Sequence, residues 1–425
     1  MMILRALSDV EAAFHYLHEM GNGSTQVVTA VRVSGNFDNV NLLARLTSWA
    51  AMHEVLNVTV HSAHPGTEEE ELLLIHQPFQ PEQLIVRKER KWFDHQAFFS
   101  EEINTPLHSH RTWRLSVIQV PGALYLYFTR SHVISDAYST QELLQSLLET
   151  LLWNVVTGRK STLIPNRVGQ SLKQMDGLVP VTTQTPGGVA SVLRHLTTSI
   201  VSERQTRIHR RMLDRKLSAS IITVCKARGI TLNECFAAAL AGAYADCLGV
   251  REIALYTAIN SRRHFHDALS SGLGCNIHVL GSSLQVKPSP LDSQALSYRN
   301  ALKKASLGWA PSVLRHNAIK LNVAQLCAAK HFVGPCITNS GVSDFTSAIY
   351  RQVDFVETAV NRNVANYSVV LHLSCFRGRL QLLYSYASPA MSEGLFKEID
   401  YELMTRLGLL EASLPGHPSL MKVAI

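Results

Sequence analysis

The sequence predicts a mixed α/β protein built as two lobes, and three observations carry that expectation. At 425 residues the chain is long for a single hydrophobic core. Both halves alternate strand-like runs with helical ones and are of comparable size. Between them, residues 160–205 hold Pro165, Pro180, Pro186, Gly187, Gly188 and a Val-Thr-Thr-Gln-Thr run, which is linker composition. An N-terminal lobe is therefore expected over 1–165, a linker over 166–205 and a C-terminal lobe over 206–425.

In chain order, residues 27–34 are rich in β-branched side chains and read as a strand. Residues 40–55 place Leu42, Leu43, Leu46, Trp49 and Ala50 at helical spacing. Residues 113–120 and 124–129 flank Pro121-Gly122, a turn dipeptide, and predict an antiparallel hairpin. A short loop follows, and then Ser139-Thr140-Gln141-Glu142 has the S-x-x-E form of a capping box, predicting a helix start there. The stripe Leu143, Leu144, Leu147, Leu148, Leu151, Leu152 and Val155 ends before Gly158. In the second half, strands are expected at 208–213, 253–259, 276–286, 332–338, 367–376 and 380–385. Helices are expected at 218–228, 232–248 and 391–410.

Composition narrows the function. Hydrophobic residues make up 46% and charged residues 17%, which describes a packed globular protein. The net charge of +7 suits an anionic partner, but no basic tail or nucleic-acid motif accompanies it, so nucleic-acid binding is not expected. The densest basic stretch, 204–216, reads as a strand and turn with solvated arginines rather than an anion site. Seven cysteines, with no CxxC, fit a reduced cytoplasmic protein better than a disulfide framework or a zinc site. Arg5, Asp9 and Glu11 argue against a signal peptide, and no apolar run approaches a membrane span. The pairs His108/His110 and His264/His266 have no third ligand at local spacing, so no metal site is expected.

The chemistry-bearing run is Arg130-Ser131-His132-Val133-Ile134-Ser135-Asp136-Ala137. Of 19 histidines, His132 alone has an aspartate four residues later. Its position between a hairpin strand and a helix lets the imidazole point into a cleft as a general base. As a bare pattern, Asp136 could equally be a helix cap and His132 a strand-end residue bonded to the backbone.

Other runs change that balance. Val31-Arg32-Val33-Ser34-Gly35-Asn36-Phe37-Asp38 and a helix ending Ala51-Met52-His53-Glu54 open the chain. Gly229-Ile230-Thr231-Leu232-Asn233-Glu234, Ile259-Asn260-Ser261-Arg262-Arg263 and Ile337-Thr338-Asn339-Ser340-Gly341 follow in the second half. Taken in order, these resemble the CoA- or carrier-protein-dependent acyltransferase superfamily over nearly the whole chain. That superfamily includes chloramphenicol acetyltransferase, nonribosomal peptide condensation domains, BAHD acyltransferases and stand-alone polyketide-associated acyltransferases, the last being the expected nearest branch. The family loop is HHxxxDG; here Ser131 stands for the first histidine and Ala137 for the glycine. The BAHD-type DFGWG latch is not found.

The resemblance implies a chloramphenicol-acetyltransferase-like fold with an active-site tunnel between the lobes. It implies His132 as general base, with Asp136 bracing the loop through Arg262, or alternatively through Arg263. Ser131, Asn339 and Ser340 are expected to contact substrate, the last two as candidate donors to the oxyanion. The donor would be acyl-CoA or an acyl carrier protein, and the acceptor a hydroxyl or amine in secondary metabolism. No bound cofactor is implied, and a monomer is expected. Two alternatives are a free-standing condensation enzyme and a non-catalytic relative that binds a carrier protein.

Overall fold

The computed structural model describes residues 2–412, apart from 39, 90–92, 109, 154–198, 263–271, 308–314 and 330–331. The first half runs β1 (Met2–Ala6), α1 (Asp9–Met20), β2 (Val27–Ser34), α2 (Leu42–Met52), β3 (Val58–Ala63) and β4 (Glu71–His76). It continues with β5 (Leu84–Lys88), α3 (His95–Asn104), β6 (Trp113–Val120), β7 (Ala123–Arg130) and α4 (Ala137–Trp153). The second half runs β8 (Gln205–Met212), α5 (Arg215–Ala227), α6 (Leu232–Leu248), β9 (Glu252–Asn260), β10 (Ile277–Gln285), α7 (Leu291–Leu307) and α8 (His316–Ala328). It closes with β11 (Gly334–Val342), α9 (Ser347–Gln352), β12 (Val353–Val360), β13 (Tyr367–Phe376), β14 (Arg379–Ser388) and α10 (Glu393–Ala412).

Two mixed sheets organise these elements. The first has the order β12-β2-β7-β6-β5, and the second β10-β9-β11-β13-β14-β8. A small three-stranded sheet, β1-β4-β3, lies beside the first. β12 comes from the second half of the chain but pairs antiparallel with β2, so Val360 lies opposite Val27. The same Val27 lies opposite Arg130 of β7 on its other side. One end of the first sheet therefore receives residues from both halves.

Each sheet buries one face against helices. Leu46 and Trp49 of α2 pack with Leu143, Leu147 and Leu151 of α4 in the core under the first sheet. In the second lobe, α6 is buried on almost every side, with Phe236, Leu240 and Tyr244 among β9, β13 and β14 residues. Its small side chains, Ala237 to Ala239, allow this close approach all round.

The structure revises several local expectations. The helix after the His132 loop starts at Ala137, not Ser139: Asp136 Oδ1 accepts from Ser139 N at 2.9 Å and is the cap. Ser139 is spent elsewhere, as shown below. True capping boxes stand at Ser8/Glu11, ahead of α1, and at Thr231/Glu234, ahead of α6. The 204–216 stretch holds a strand, with Arg207, Arg210, Arg215 and Lys216 exposed as expected, but some of its arginines are paired. Arg204 is buried and donates to Val364 O at 2.7 Å, Arg210 meets Glu357 at 2.6 Å, and Arg211 pairs with Asp400. Most of the expected 166–205 linker, with Val155 and Gly158, lies outside the described residues. All seven cysteines are free, and no helix among the described residues is long and apolar enough to cross a membrane.

Candidate active site

The hairpin β6–β7 ends in the sequence Thr129-Arg130-Ser131-His132, and there the chain leaves the sheet. Ser131 N donates to Thr112 O at 2.8 Å, and Ser131 Oγ accepts from Val133 N at 3.2 Å. Ser131 thus holds the turn and is not among the residues lining the neighbouring cavity. Val133 and Ile134 anchor the loop in the core at 1% and 0% exposure. His132 is left at the cavity wall.

The imidazole is fixed on two sides. Its Nδ1 lies 3.2 Å from Ser135 O, and a carbonyl can only accept, so Nδ1 carries the proton. No hydrogen bond among the described residues involves Nε2, which retains its lone pair. The ring stacks on Phe14 of α1, with centroids 4.7 Å apart and planes at 22°. Loss of solvent, and then the positive charge of Arg130, lower its pKa to about 4. It is a neutral base throughout the physiological range.

Asp136 is turned away from that task. Its Oδ1 caps α4, while Oδ2 accepts from Arg262 Nη1 and from Asn276 N at 2.9 Å. Arg262 Nη2 donates to Ser139 Oγ at 2.8 Å and to Gly272 O at 3.1 Å, and Ser139 Oγ donates to Gly274 O at 2.8 Å. Tyr138 covers the guanidinium, 4.5 Å from its ring centroid. The cluster joins the end of β7 in the first sheet to the segment between β9 and β10 in the second. Arg263, with His264 and His266, lies outside the described residues. Ala137, where the family has glycine, is the first helical residue of α4 and has no positive φ, so alanine is accommodated.

The cavity between the sheets measures about 390 Å³ and is bounded by His132, Asp136 and residues of β2, β9, β10, β11, β12 and β13. That volume falls in the range of small-molecule sites. Asn339 and Ser340 lie on its wall at the exposed end of β11, where the pairing with β13 slips. Asn339 Oδ1 accepts from Gly341 N at 2.8 Å. Among the lining residues that were not proposed for the site from sequence are Phe14, Arg130, Arg362 and His372. His372 is buried on β13 with Nε2 unpartnered, and burial lowers its pKa to about 3. The only available signal was weak, namely Arg130 abutting the His132 loop. Arg362 is brought in by the β12 crossover and His372 by β13 of the second sheet, and local sequence announces neither placement. His53, by contrast, is a core residue whose Nε2 lies 2.9 Å from Ser146 Oγ, away from the cavity.

A histidine loop faces a cavity between two mixed sheets and is braced by an ion pair that joins them, which defines a two-lobed α/β fold. The chain has that chloramphenicol-acetyltransferase-like fold. It is similar to a trichothecene 15-O-acetyltransferase from Fusarium sporotrichioides, at 13% identity over 96% of this chain and 94% of that one, with a TM-score of 0.69. It is also similar to the first condensation domain of the calcium-dependent antibiotic synthetase, at 12% identity over 96% and 95% of the two chains, with a TM-score of 0.67. A polyketide synthase associated protein from Mycobacterium tuberculosis covers 96% of this chain with 99% of its own, at 13% identity and a TM-score of 0.60. That last score is below the other two, so the fold gives no preference to the branch the sequence favoured. No family model and no curated protein matches the sequence. At such identities the likeness shows the fold alone.

Proposed function

We propose that this protein is an acyltransferase that moves an acyl group from a CoA or carrier-protein thioester to a hydroxyl or amine. The observation that carries the reading is the tautomer of His132: Nδ1 is tied to Ser135 O, and Nε2 is a free base on the cavity wall. In the proposed step the acceptor oxygen or nitrogen attacks the thioester carbonyl carbon while Nε2 takes its proton. The C–S bond of the tetrahedral adduct then breaks, and the proton returns to the leaving sulfur. Donor and acceptor react in one ternary complex, with no acyl-enzyme.

Asp136 and Arg262 act as positioning residues in this reading. Their network ties the loop at both ends, which matters because small displacements of a base can cost about 100-fold in rate. Asn339 or Ser340 would donate to the oxyanion, helped by a loop amide. Ser131, whose hydroxyl is engaged by Val133 N, would contribute through the loop's shape. No bound cofactor is required. A cytoplasmic monomer in secondary metabolism is the setting we propose.

The test incubates the purified protein with acyl-CoA, or with an acyl-loaded carrier protein, and a panel of alcohols and amines, following released thiol. Turnover that His132→Ala reduces about 100- to 10,000-fold is expected. Undiminished turnover in that variant would sink the general-base assignment. Turnover with the loaded carrier protein alone would favour a free-standing condensation enzyme. Binding of the loaded carrier without turnover would leave a non-catalytic relative.

A further inference from the structure

The cavity carries more positive charge than its own residues neutralise. Among the described residues, Asp136 is the sole carboxylate on its wall, and Arg262 already holds it. Arg130 and Arg362 also line the cavity, at 1% and 3% exposure, and among the described residues neither forms an ion pair, although the charge of Asp136 reaches Arg130. Both stand at the same end of the first sheet. Arg130 is paired with Val27, and Arg362 comes two residues after Val360, the other neighbour of Val27.

Their hydrogen bonds go to neutral oxygens. Arg130 Nη1 donates to Thr29 Oγ1 at 3.0 Å and to Phe128 O at 3.4 Å; Arg362 Nη2 donates to Asn366 Oδ1. The Nε of each has no partner. A guanidinium offers five donors, so both retain unused ones. Leaving two such cations buried on one cavity wall and unpaired is costly. The cost is visible in their chemistry, since burial pushes Arg130 down to about 9 and Arg362 down as well.

We propose that Arg130 and Arg362 together bind a carboxylate carried by the substrate, on a body that is at least partly aliphatic. A carboxylate matches the planar fork of a guanidinium, and Arg is the side chain suited to such pairing in a dry site. Val27, Ile277, Val279, Val360 and Val370 give the cavity an apolar stretch of wall beside its polar residues, suited to an aliphatic part of the substrate. The carboxylate can belong to the acceptor, as a hydroxy or amino acid, or to the acyl chain, as a dicarboxylic half-thioester. The inference rests on the acyl-transfer reading for the identity of the two substrates, but not for the presence of the anion site.

Calorimetric titration of the full-length protein separates the sources. One arm compares 3-hydroxydecanoate with its methyl ester, and the other succinyl-CoA with butyryl-CoA. In at least one arm the acid should bind about tenfold or more tightly than its neutral match, as expected for charge-assisted hydrogen bonds. Arg362→Met should abolish that preference, and Arg362→Lys should keep part of it. The acid–neutral comparison on the unmodified protein stands even if a variant fails to fold. Equal binding of acid and neutral match in both arms would overturn the proposal. So would an affinity for free CoA that Arg362→Met weakens while neither acid is preferred. Thiol release measured in parallel keeps the two readings apart: turnover without acid preference sinks the anion site alone, and acid preference without turnover sinks the transferase alone.

Discussion

Asp136 and Arg262 form an ion pair buried at 1% and 5% exposure, and it is the joint between the two sheets at the base of the His132 loop. The carboxylate serves two elements at once: one oxygen caps α4, and the other receives Arg262 and the amide of Asn276. A pair withdrawn from water survives because most of its other donors and acceptors are also filled, Arg262 Nε being the exception. The same aspartate therefore sets the start of α4, the height of the loop and the approach of the second lobe.

That arrangement predicts an asymmetric pattern of variants. Arg262→Met leaves a buried carboxylate uncompensated and should cost about 3–5 kcal/mol in urea unfolding. Asp136→Asn keeps a side-chain oxygen for the cap, whereas Asp136→Ala loses it, so the two should differ by about 0.5–2 kcal/mol. The double variant Asp136→Asn/Arg262→Met should recover part of the Arg262→Met loss. If the single and double effects simply add, the two residues are not coupled as the geometry requires.

Gly334 tests how tightly the second sheet is threaded. It opens β11 at φ +144°, and a Cβ there would lie 2.1 Å from Ala254 O on β9. Backbone cannot give way as a side-chain tip can. Gly334→Ala should destabilise the protein by at least about 2 kcal/mol, read from the urea midpoint. An unchanged midpoint would mean that β11 can shift relative to β9.

Much of the scaffold was legible in the sequence because it is local. The β6–β7 hairpin follows from its alternation and Pro121-Gly122, and the helix expected over 232–248 is α6, Leu232–Leu248. The S-x-x-E pattern misled at Ser139 because Asp136, three residues earlier, accepts from Ser139 N and starts the helix one turn sooner, while the Ser139 hydroxyl is engaged by Arg262 and Gly274. Other elements went unread although a signal existed, as with Ser8/Glu11 ahead of α1. The position of β12 was not readable at all. Its alternation, Val353 to Val360, is compatible with any sheet edge, and only tertiary pairing takes it to β2. Arg362 enters the cavity through that crossover, while His372 enters it from β13 of the second sheet. A site assembled across lobes could thus be half read: the His132 loop from its own neighbours, its partner Arg262 from resemblance, and the extra cations from neither.

Phe14 controls the state of the base. Stacked on His132, it removes water from one face of the imidazole, and that loss of solvent is the first cause of the low pKa of about 4. Phe14→Ala should move the His132 titration upward toward its ordinary value near ~6.5. NMR titration of the His132 ring protons measures this directly. The acid limb of the pH–rate profile should move with it, from about pH 4 toward neutrality, if His132 is the base. A ring titration that stays near pH 4 in the variant would place the cause with Arg130 and Arg362 instead.

The buried histidines also make the fold sensitive to mild acid. Burial holds His15, His53 and His132 at about 4 and His372 at about 3. In the unfolded chain each titrates near ~6.5. As pH falls below that value the unfolded state takes up protons that the folded state refuses until about pH 4, so stability falls with pH across this window. The contribution is complete above about pH 6.5 and is lost as pH drops toward the folded values. Most carboxylates remain ionised down to about pH 5, so the upper part of the window reports mainly on histidine. Urea midpoints should therefore decline steadily from pH 7 to pH 5, and His53→Gln should flatten the slope. The amide can replace the imidazole against Ser146 without titrating. A midpoint that holds constant over those two pH units would mean that these rings are solvated when protonated, contrary to their packing.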